Sequence, residues 1–252
     1  MKVLTNEKLI QRNTKIGKYT SLAALFILLG GMIASFVWQN NPNAIFLSFG
    51  ALLFGFILSQ IGIYFGNRFG RRPRVDERIT AALKGLTKDY TLYHYLTPVN
   101  HLLVGPAGIW VIEPYYQRGT ITYEKNRWRQ KGGGLLLGYL KIFGQESLGR
   151  PDLEVETDLD ALRAAFKKVF GENLPPLHAA LVFYDPRAEI QAENAPHPTL
   201  KLDQLKDFLR KRAKENPLPT AELQRILAVL PKESIEVAEA QNSEASQEQK
   251  SK

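Results

Sequence analysis

Two long apolar runs dominate the hydrophobic pattern of the first 66 residues. Residues 19–38 and 44–66 contain no charged side chain, and a short polar turn with Pro42 joins them. Residues 19–38 form a helix of about 30 Å at about 1.5 Å per residue, which matches the hydrocarbon core of a bilayer. The alternative is a buried helical hairpin of a soluble protein, but neither run has the polar face that such a helix shows. The pattern predicts a transmembrane hairpin over residues 19–66, with the lipid bilayer as its partner.

The charged residues around this hairpin predict its orientation. Residues 1–75 carry nine Lys/Arg and one Glu, whereas residues 76–252 carry 24 Lys/Arg and 24 Asp/Glu. The basic residues precede the first run or follow the second, and the turn between them has none. Because Lys and Arg accumulate on the cytoplasmic side, we expect both termini to be cytoplasmic. Residues 1–18 are then a basic cytoplasmic N-terminal segment, and residues 67–75 are a basic juxtamembrane linker.

Small residues recur four apart within the apolar runs, for example at Ala51, Gly55 and Ser59. Such rows allow helix backbones to approach closely. Packing of the two helices within one hairpin is the favoured interpretation. The alternative is a homo-oligomer that forms through these small-residue transmembrane faces.

Residues 76–230 alternate between helical and strand-like patterns, which predicts an α/β domain with a mixed sheet and flanking helices. Apolar positions at helical spacing predict helices over residues 76–88, 158–170, 202–213 and 220–230. Short apolar or alternating stretches predict strands over residues 90–96, 99–104, 109–113, 119–124, 126–130 and 177–184. Residues 231–252 are rich in Glu, Gln and Ser and contain no aromatic residue, so they are predicted to be a disordered tail.

Several kinds of chemistry are excluded or unsupported by the sequence. The chain has no Cys, so disulfides, thiolate metal sites and cysteine nucleophiles are excluded. It also lacks the motifs of serine hydrolases, zinc proteases and phosphate-binding loops. The four His residues are scattered, and His178 at the start of an apolar strand is interpreted as a core residue.

Two stretches of the soluble part, DERITAALKGL at residues 76–86 and VNHLLVGPAGIWVIEPYYQRGTI at residues 99–121, together resemble the NERD (nuclease-related) domain. The resemblance implies a restriction-endonuclease-like fold in which carboxylates hold a divalent ion, usually Mg²⁺, beside a lysine. Glu77 and Glu113 match the acidic positions of that family. Asn100 stands where the family has Asp, and Tyr115 stands where it has Lys.

These two departures predict a degenerate site. An Asn oxygen binds a metal without contributing charge, and a Tyr phenol is neutral near pH 7. The resemblance therefore implies metal ligands at Glu77, Asn100 and Glu113 only if the site is active, with Mg²⁺ as cofactor in that case and none otherwise. The leading hypothesis is a membrane-anchored, catalytically degenerate nuclease-related protein that acts as a binding or scaffolding module. The alternatives are an active metal-dependent nuclease anchored to the membrane and a structural membrane-organising protein.

A basic patch lies downstream of the motif. It comprises Arg118, Lys125, Arg127, Arg129 and Lys131. Aromatic residues are interleaved with these charges, which indicates contact with anionic lipid head groups or nucleic acid. The alternative is a solvated strand face.

Overall fold

The computed structural model describes residues 1–38, 40–132 and 148–236, without the side chains of residues 42 and 44. The chain divides into two compact units. One unit combines Met1–Asn6 with Val75–Ser234. The other contains Glu7–Arg74 and the described end of the chain from Ile235.

Two long helices form most of the unit that contains Glu7–Arg74. Helix α1 spans Glu7–Val37 and helix α2 spans Pro42–Phe65, followed by a short π-helix at Gly66–Gly70. Both helices are long and apolar enough to cross a membrane. Only 17% and 11% of their most apolar 18-residue stretches are buried. A core helix of a soluble protein would be mostly covered, whereas these helices expose their Leu, Ile and Phe side chains. The two predicted apolar helices are therefore confirmed.

The small residues lie where the two helices contact each other. A Cβ atom added to Gly62 would lie 2.9 Å from the Ser21 backbone nitrogen, and one added to Gly31 would meet the side chain of Ala51. A Cβ atom added to Gly17 would likewise lie 2.9 Å from the Gly66 backbone nitrogen. These contacts agree with the favoured interpretation of packing within one hairpin. Association between copies through these faces stays a prediction.

The other unit is a mixed α/β domain, as predicted. Its main sheet has the order β1-β2-β3-β4-β7-β9, and a smaller sheet has the order β6-β5-β8. Strands β2, β3 and β4 pair antiparallel, whereas the β1–β2, β4–β7, β7–β9 and β5–β8 pairs are parallel. The strands are β1 Lys2–Thr5, β2 Thr91–His94, β3 His101–Gly105, β4 Gly108–Tyr115, β5 Gly119–Glu124, β6 Arg127–Lys131, β7 Leu177–Phe183, β8 Ala188–Gln191 and β9 Thr199–Lys201.

Helices cover both faces of the main sheet. They are α3 Val75–Ala82, α4 Pro151–Phe170, α5 Leu205–Glu215 and α6 Thr220–Val229. Helices α4 and α6 and the smaller sheet pack on one face through a cluster that includes Val111, Tyr115 and Leu159. Helices α3 and α5 pack on the other face, in a cluster that includes Trp110 and Leu209. Alternate residues of β4 therefore belong to opposite cores, as strand geometry requires.

The first strand lies in a segment for which the sequence predicts only basic character. Lys2–Thr5 pairs in parallel with Thr91–His94 and forms one edge of the main sheet. Leu4 is 5% exposed within the core, and the Met1 amine donates to the Leu86 carbonyl at 3.4 Å. Residues 1–18 are thus not a single segment, because Met1–Asn6 belongs to the α/β domain and α1 begins at Glu7.

The start of the predicted tail also contacts this strand. The Thr5 backbone nitrogen donates to the Ser234 hydroxyl at 3.0 Å, and the Lys2 ammonium donates to the Lys232 carbonyl at 2.7 Å. Residues 231–234 therefore belong with the domain rather than with the tail. The rest of the predicted tail, from residue 237, lies outside the described residues.

Candidate functional site

The β3–β4 hairpin positions two of the four predicted site residues. Its turn at Pro106-Ala107 closes with Gly108 at a φ of +104°, a conformation that favours glycine. Leu102 pairs with Val111, so Asn100, just before β3, and Glu113, two residues after Val111, lie towards the same end of the hairpin. Both side chains are partly buried. The hairpin thus brings one amide and one carboxylate to the same end of the sheet.

Tyr115 lies two residues after Glu113 and points to the same face. It is 6% exposed, and its ring stacks on Phe183 with centroids 5.3 Å apart. Its hydroxyl donates to Oε2 of Glu154 in α4 at 2.7 Å. Burial raises the pKa of Tyr115 far above its usual value, and the charges of Glu154, Glu113 and Asp158 add to this effect. The position that holds a lysine in the NERD pattern therefore holds a neutral phenol that is committed to a carboxylate.

Glu77 is positioned differently from the hairpin residues. It lies in the first turn of α3, whose Ile79 side chain belongs to the core on the opposite face of the sheet from Tyr115. Glu77 is half-buried, whereas its neighbour Asp76 is only 4% exposed. The helical spacing of residues 76, 79 and 83 predicts the burial of Asp76. This signal favours Asp76 over Glu77 as the buried acidic residue.

The predicted metal ligands do not fit a carboxylate-rich Mg²⁺ site. Among the described residues, no group of three or more His, Asp or Glu side chains is placed to hold a metal ion. The hairpin contributes Glu113 and the uncharged Asn100, and Glu77 belongs to a helix on the other face. Since Mg²⁺ is held mainly by charged oxygen ligands and water, this donor set is poor.

A buried pair of histidines lies beside Asn100 and was missed by the sequence analysis. His94 and His101 are each 1% exposed, and their Nδ1 atoms are 2.8 Å apart. Nε2 of His94 is 2.9 Å from the Thr80 hydroxyl of α3. The antiparallel register pairs these residues directly, so a correct alignment of β2 with β3 would have found them. The hydrogen bonds join α3 to the hairpin.

An arginine also lies at this end of the sheet. The guanidinium carbon of Arg78 lies 5.3 Å from the centre of the Tyr184 ring. Tyr184 follows β7, and its backbone nitrogen donates to the Tyr115 carbonyl at 3.0 Å. The sequence pattern does not predict this position of Arg78, because it depends on how α3 packs.

Comparison with known proteins gives no match. No family model fits the chain, and no similar curated protein or solved structure is found. The resemblance to the NERD domain therefore rests on the motif residues alone.

The basic patch forms part of the β5–β6 hairpin. Lys125 and Asn126 form its turn with φ values of +52° and +58°, which suit a two-residue hairpin. Arg127, Arg129 and Lys131 are all exposed on one face of β6, as the alternation predicts, and Trp128 packs towards the core on the other.

The neighbouring strands add acidic groups to this face. Glu124 of β5 pairs with Arg127 of β6, and Glu189 of β8 lies beside Thr120 of β5 on the same side. Arg118 is partly buried and helps Arg187 to lower the pKa of Asp185. Arg127, Arg129 and Lys131 therefore share their face with acidic side chains, so this face is of mixed sign rather than uniformly positive.

The interpretation of His178 as a core residue agrees with its environment. Its ring stacks on buried Trp110 with centroids 4.9 Å apart. Burial lowers the pKa of His178, and the positive charge of Arg212 contributes. A neutral, stacked imidazole is a packing residue here.

Proposed function

We propose that this chain is a membrane-anchored, nuclease-related protein whose catalytic site is degenerate and whose soluble domain acts as a binding or scaffolding module at the cytoplasmic face. The restriction-endonuclease-like fold is part of this proposal. It is supported by the motif residues, by the acidic start of α3, and by the Gly-closed hairpin whose second strand carries Glu113.

Membrane insertion is supported by the two exposed apolar helices and by their basic flanks. The pairing of β1 with β2 adds an independent argument. Strand pairing requires residues 2–5 and the domain to lie on the same side of the membrane, although two long helices separate them. An even number of spans satisfies this requirement, and the basic residues favour the cytoplasmic side.

The observation that carries the degenerate-site proposal is the bond from Tyr115 to Glu154. Metal-dependent phosphodiester cleavage needs charge on the metal ligands and a cation to stabilise the developing negative charge. Tyr115 is neutral and already donates its only proton, and Asn100 contributes no charge. Ligand binding needs neither charged metal ligands nor that cation, so a binding role is compatible with Asn100 and Tyr115.

Restoring the family pattern tests the proposal. We expect the full chain in nanodiscs to leave labelled DNA and RNA intact in Mg²⁺ or Mn²⁺. The Asn100→Asp/Tyr115→Lys variant should acquire metal-dependent cleavage, because it regains the missing carboxylate and cation. Since Lys at position 115 would pair with Glu154, a second variant adds Glu154→Gln to release the ammonium.

Glu113→Gln provides the control in each background. Cleavage by a restored variant that disappears with Glu113→Gln would support a degenerate nuclease site. Cleavage by the unmodified chain that depends on Glu113 would instead favour an active membrane-anchored nuclease. If every folded restored variant is inactive, the nuclease-related assignment fails.

A further inference from the structure

The helix that leads into the first apolar run carries a concentrated positive charge. Helix α1 begins at Glu7, so its first turns precede the apolar stretch that starts at Tyr19. Residues 8–75 contain eight Lys/Arg and no Asp or Glu. Four of the eight, Lys8, Arg12, Lys15 and Lys18, are exposed along these first turns.

Three of these residues form one stripe. Lys8, Arg12 and Lys15 are spaced four and three residues apart, so they lie on the same side of the helix. Exposed Tyr19 continues this cationic stripe at the next four-residue step, where the apolar run begins. A cationic row that ends in an interfacial aromatic residue matches the change from head groups to hydrocarbon in a bilayer.

The opposite side of the helix is fixed to the other half of the hairpin. Ile10, Asn13 and Gly17 are buried there. The Thr14 hydroxyl donates to the Phe69 carbonyl of the π-helix at 3.0 Å, and Gly17 packs against the backbone of Gly66. The cationic stripe therefore lies on a helix whose rotation is fixed, with its charges directed away from the helix partner.

We infer that the cationic stripe binds the head groups of anionic phospholipids and so selects the lipids around the hairpin. Along the helix axis Lys15 is about 6 Å and Arg12 about 10 Å from Tyr19, so both long side chains reach a head-group layer of about 5–8 Å. Residues 8–75 contain no carboxylate, and Glu7, which precedes the stripe, lies 3.9 Å from the Arg74 guanidinium. The inference rests on the proposed membrane insertion and is independent of the nuclease-related site.

Lipid selectivity of the full chain tests this inference. The protein is reconstituted in phosphatidylcholine vesicles that contain spin-labelled phosphatidylglycerol or spin-labelled phosphatidylcholine, and the motionally restricted fraction of each label is measured. Each basic group near an anionic surface strengthens binding roughly fivefold, so even one stripe residue in contact with a head group should give a preference of about fivefold for phosphatidylglycerol at low salt, and further contacts should increase it. High salt should reduce this preference.

The decisive variant is Lys8→Gln/Arg12→Gln/Lys15→Gln. It should lose most of the preference, whereas Lys8→Arg/Lys15→Arg should keep it because the charge is unchanged. The matched control Lys168→Gln/Lys211→Gln/Lys214→Gln removes three exposed charges from the α/β domain and should leave the preference intact. Lys18 and the four Arg residues at positions 68, 71, 72 and 74 preserve the orientation bias of the decisive variant.

The possible results distinguish this inference from the proposed function. Equal restriction of both lipid labels by an inserted chain would overturn the inference and leave the membrane proposal intact. Failure of the chain to insert, shown by its release in alkaline carbonate, would overturn both. A stripe variant that loses single-stranded DNA binding and keeps lipid selectivity would identify a nucleic-acid surface and also overturn the inference.

Discussion

Replacing Tyr115 by Phe removes the hydroxyl that occupies the candidate site and keeps the ring. The ring stacks on Phe183 in the core, so packing should change little. The lost hydrogen bond joins a buried phenol to Glu154, which is exposed. Because water replaces the phenol at the exposed carboxylate, we expect the free energy of unfolding to fall by only about 1 kcal/mol at neutral pH.

The effect should reverse in alkali. The folded state raises the pKa of Tyr115, so the folded protein keeps a proton that the unfolded chain loses above about pH 10. Stability that depends on this hydroxyl is therefore present below pH 10 and decreases as the pH rises. The decrease is about 1.4 kcal/mol per pH unit, and Tyr115→Phe lacks it, so the variant should become the more stable protein near pH 11.

Urea unfolding of the full chain in nanodiscs between pH 7.5 and 11 measures this difference, with tryptophan fluorescence, to which buried Trp110 contributes, as the signal. Tyr93, whose pKa burial raises to about 12, contributes equally to both proteins and cancels. Tyr123→Phe, at a partly exposed tyrosine, is the control and should change neither stability nor its pH dependence. A Tyr115→Phe variant with an unchanged stability difference from pH 7.5 to 11 would refute the placement of this hydroxyl against Glu154.

Three further predictions concern other parts of the chain. Leu4→Ala should lower the free energy of unfolding of the domain by about 2–4 kcal/mol in urea, because Leu4 is buried in the core of the sheet. Gly62→Leu should reduce the thermal stability of the hairpin in detergent through a clash with Ser21, whereas Gly30→Leu, which meets no neighbour within 4 Å, should be tolerated. Replacing Arg127, Arg129 and Lys131 of β6 by Gln should weaken salt-sensitive binding of the full chain to single-stranded nucleic acid. Unchanged binding would show that this face is only a solvated strand face.

The sequence predicts the elements that depend on local pattern. The two apolar helices need only an uninterrupted run of sufficient length, and the β3–β4 hairpin needs two apolar strands around a Pro/Gly turn. The alternation of β6 likewise follows from three basic residues at every second position. In each case the information lies within a few neighbouring residues.

The elements that were missed depend on distant partners. β1 has only four residues, and it becomes a strand by pairing with Thr91–His94, far along the chain. The short strands β8 and β9 likewise pair with distant strands. The candidate site divides in the same way. The hairpin brings Asn100 and Glu113 towards the same end of the sheet, but the bond of Tyr115 to Glu154 spans 39 residues and depends on how α4 packs.

The position of β1 also determines how the soluble domain must be studied. A fragment of residues 76–230, which the sequence-based boundaries define, lacks the strand that pairs with β2. The backbone groups of β2 that bond to β1 would then lie at an open sheet edge, and such edges favour association between chains. Binding measured on that fragment would confuse loss of β1 with properties of the site. Because the domain combines residues 1–6 with residues 75–234, a chain that keeps the helical hairpin between these two segments is needed for the sheet of the candidate site to stay intact.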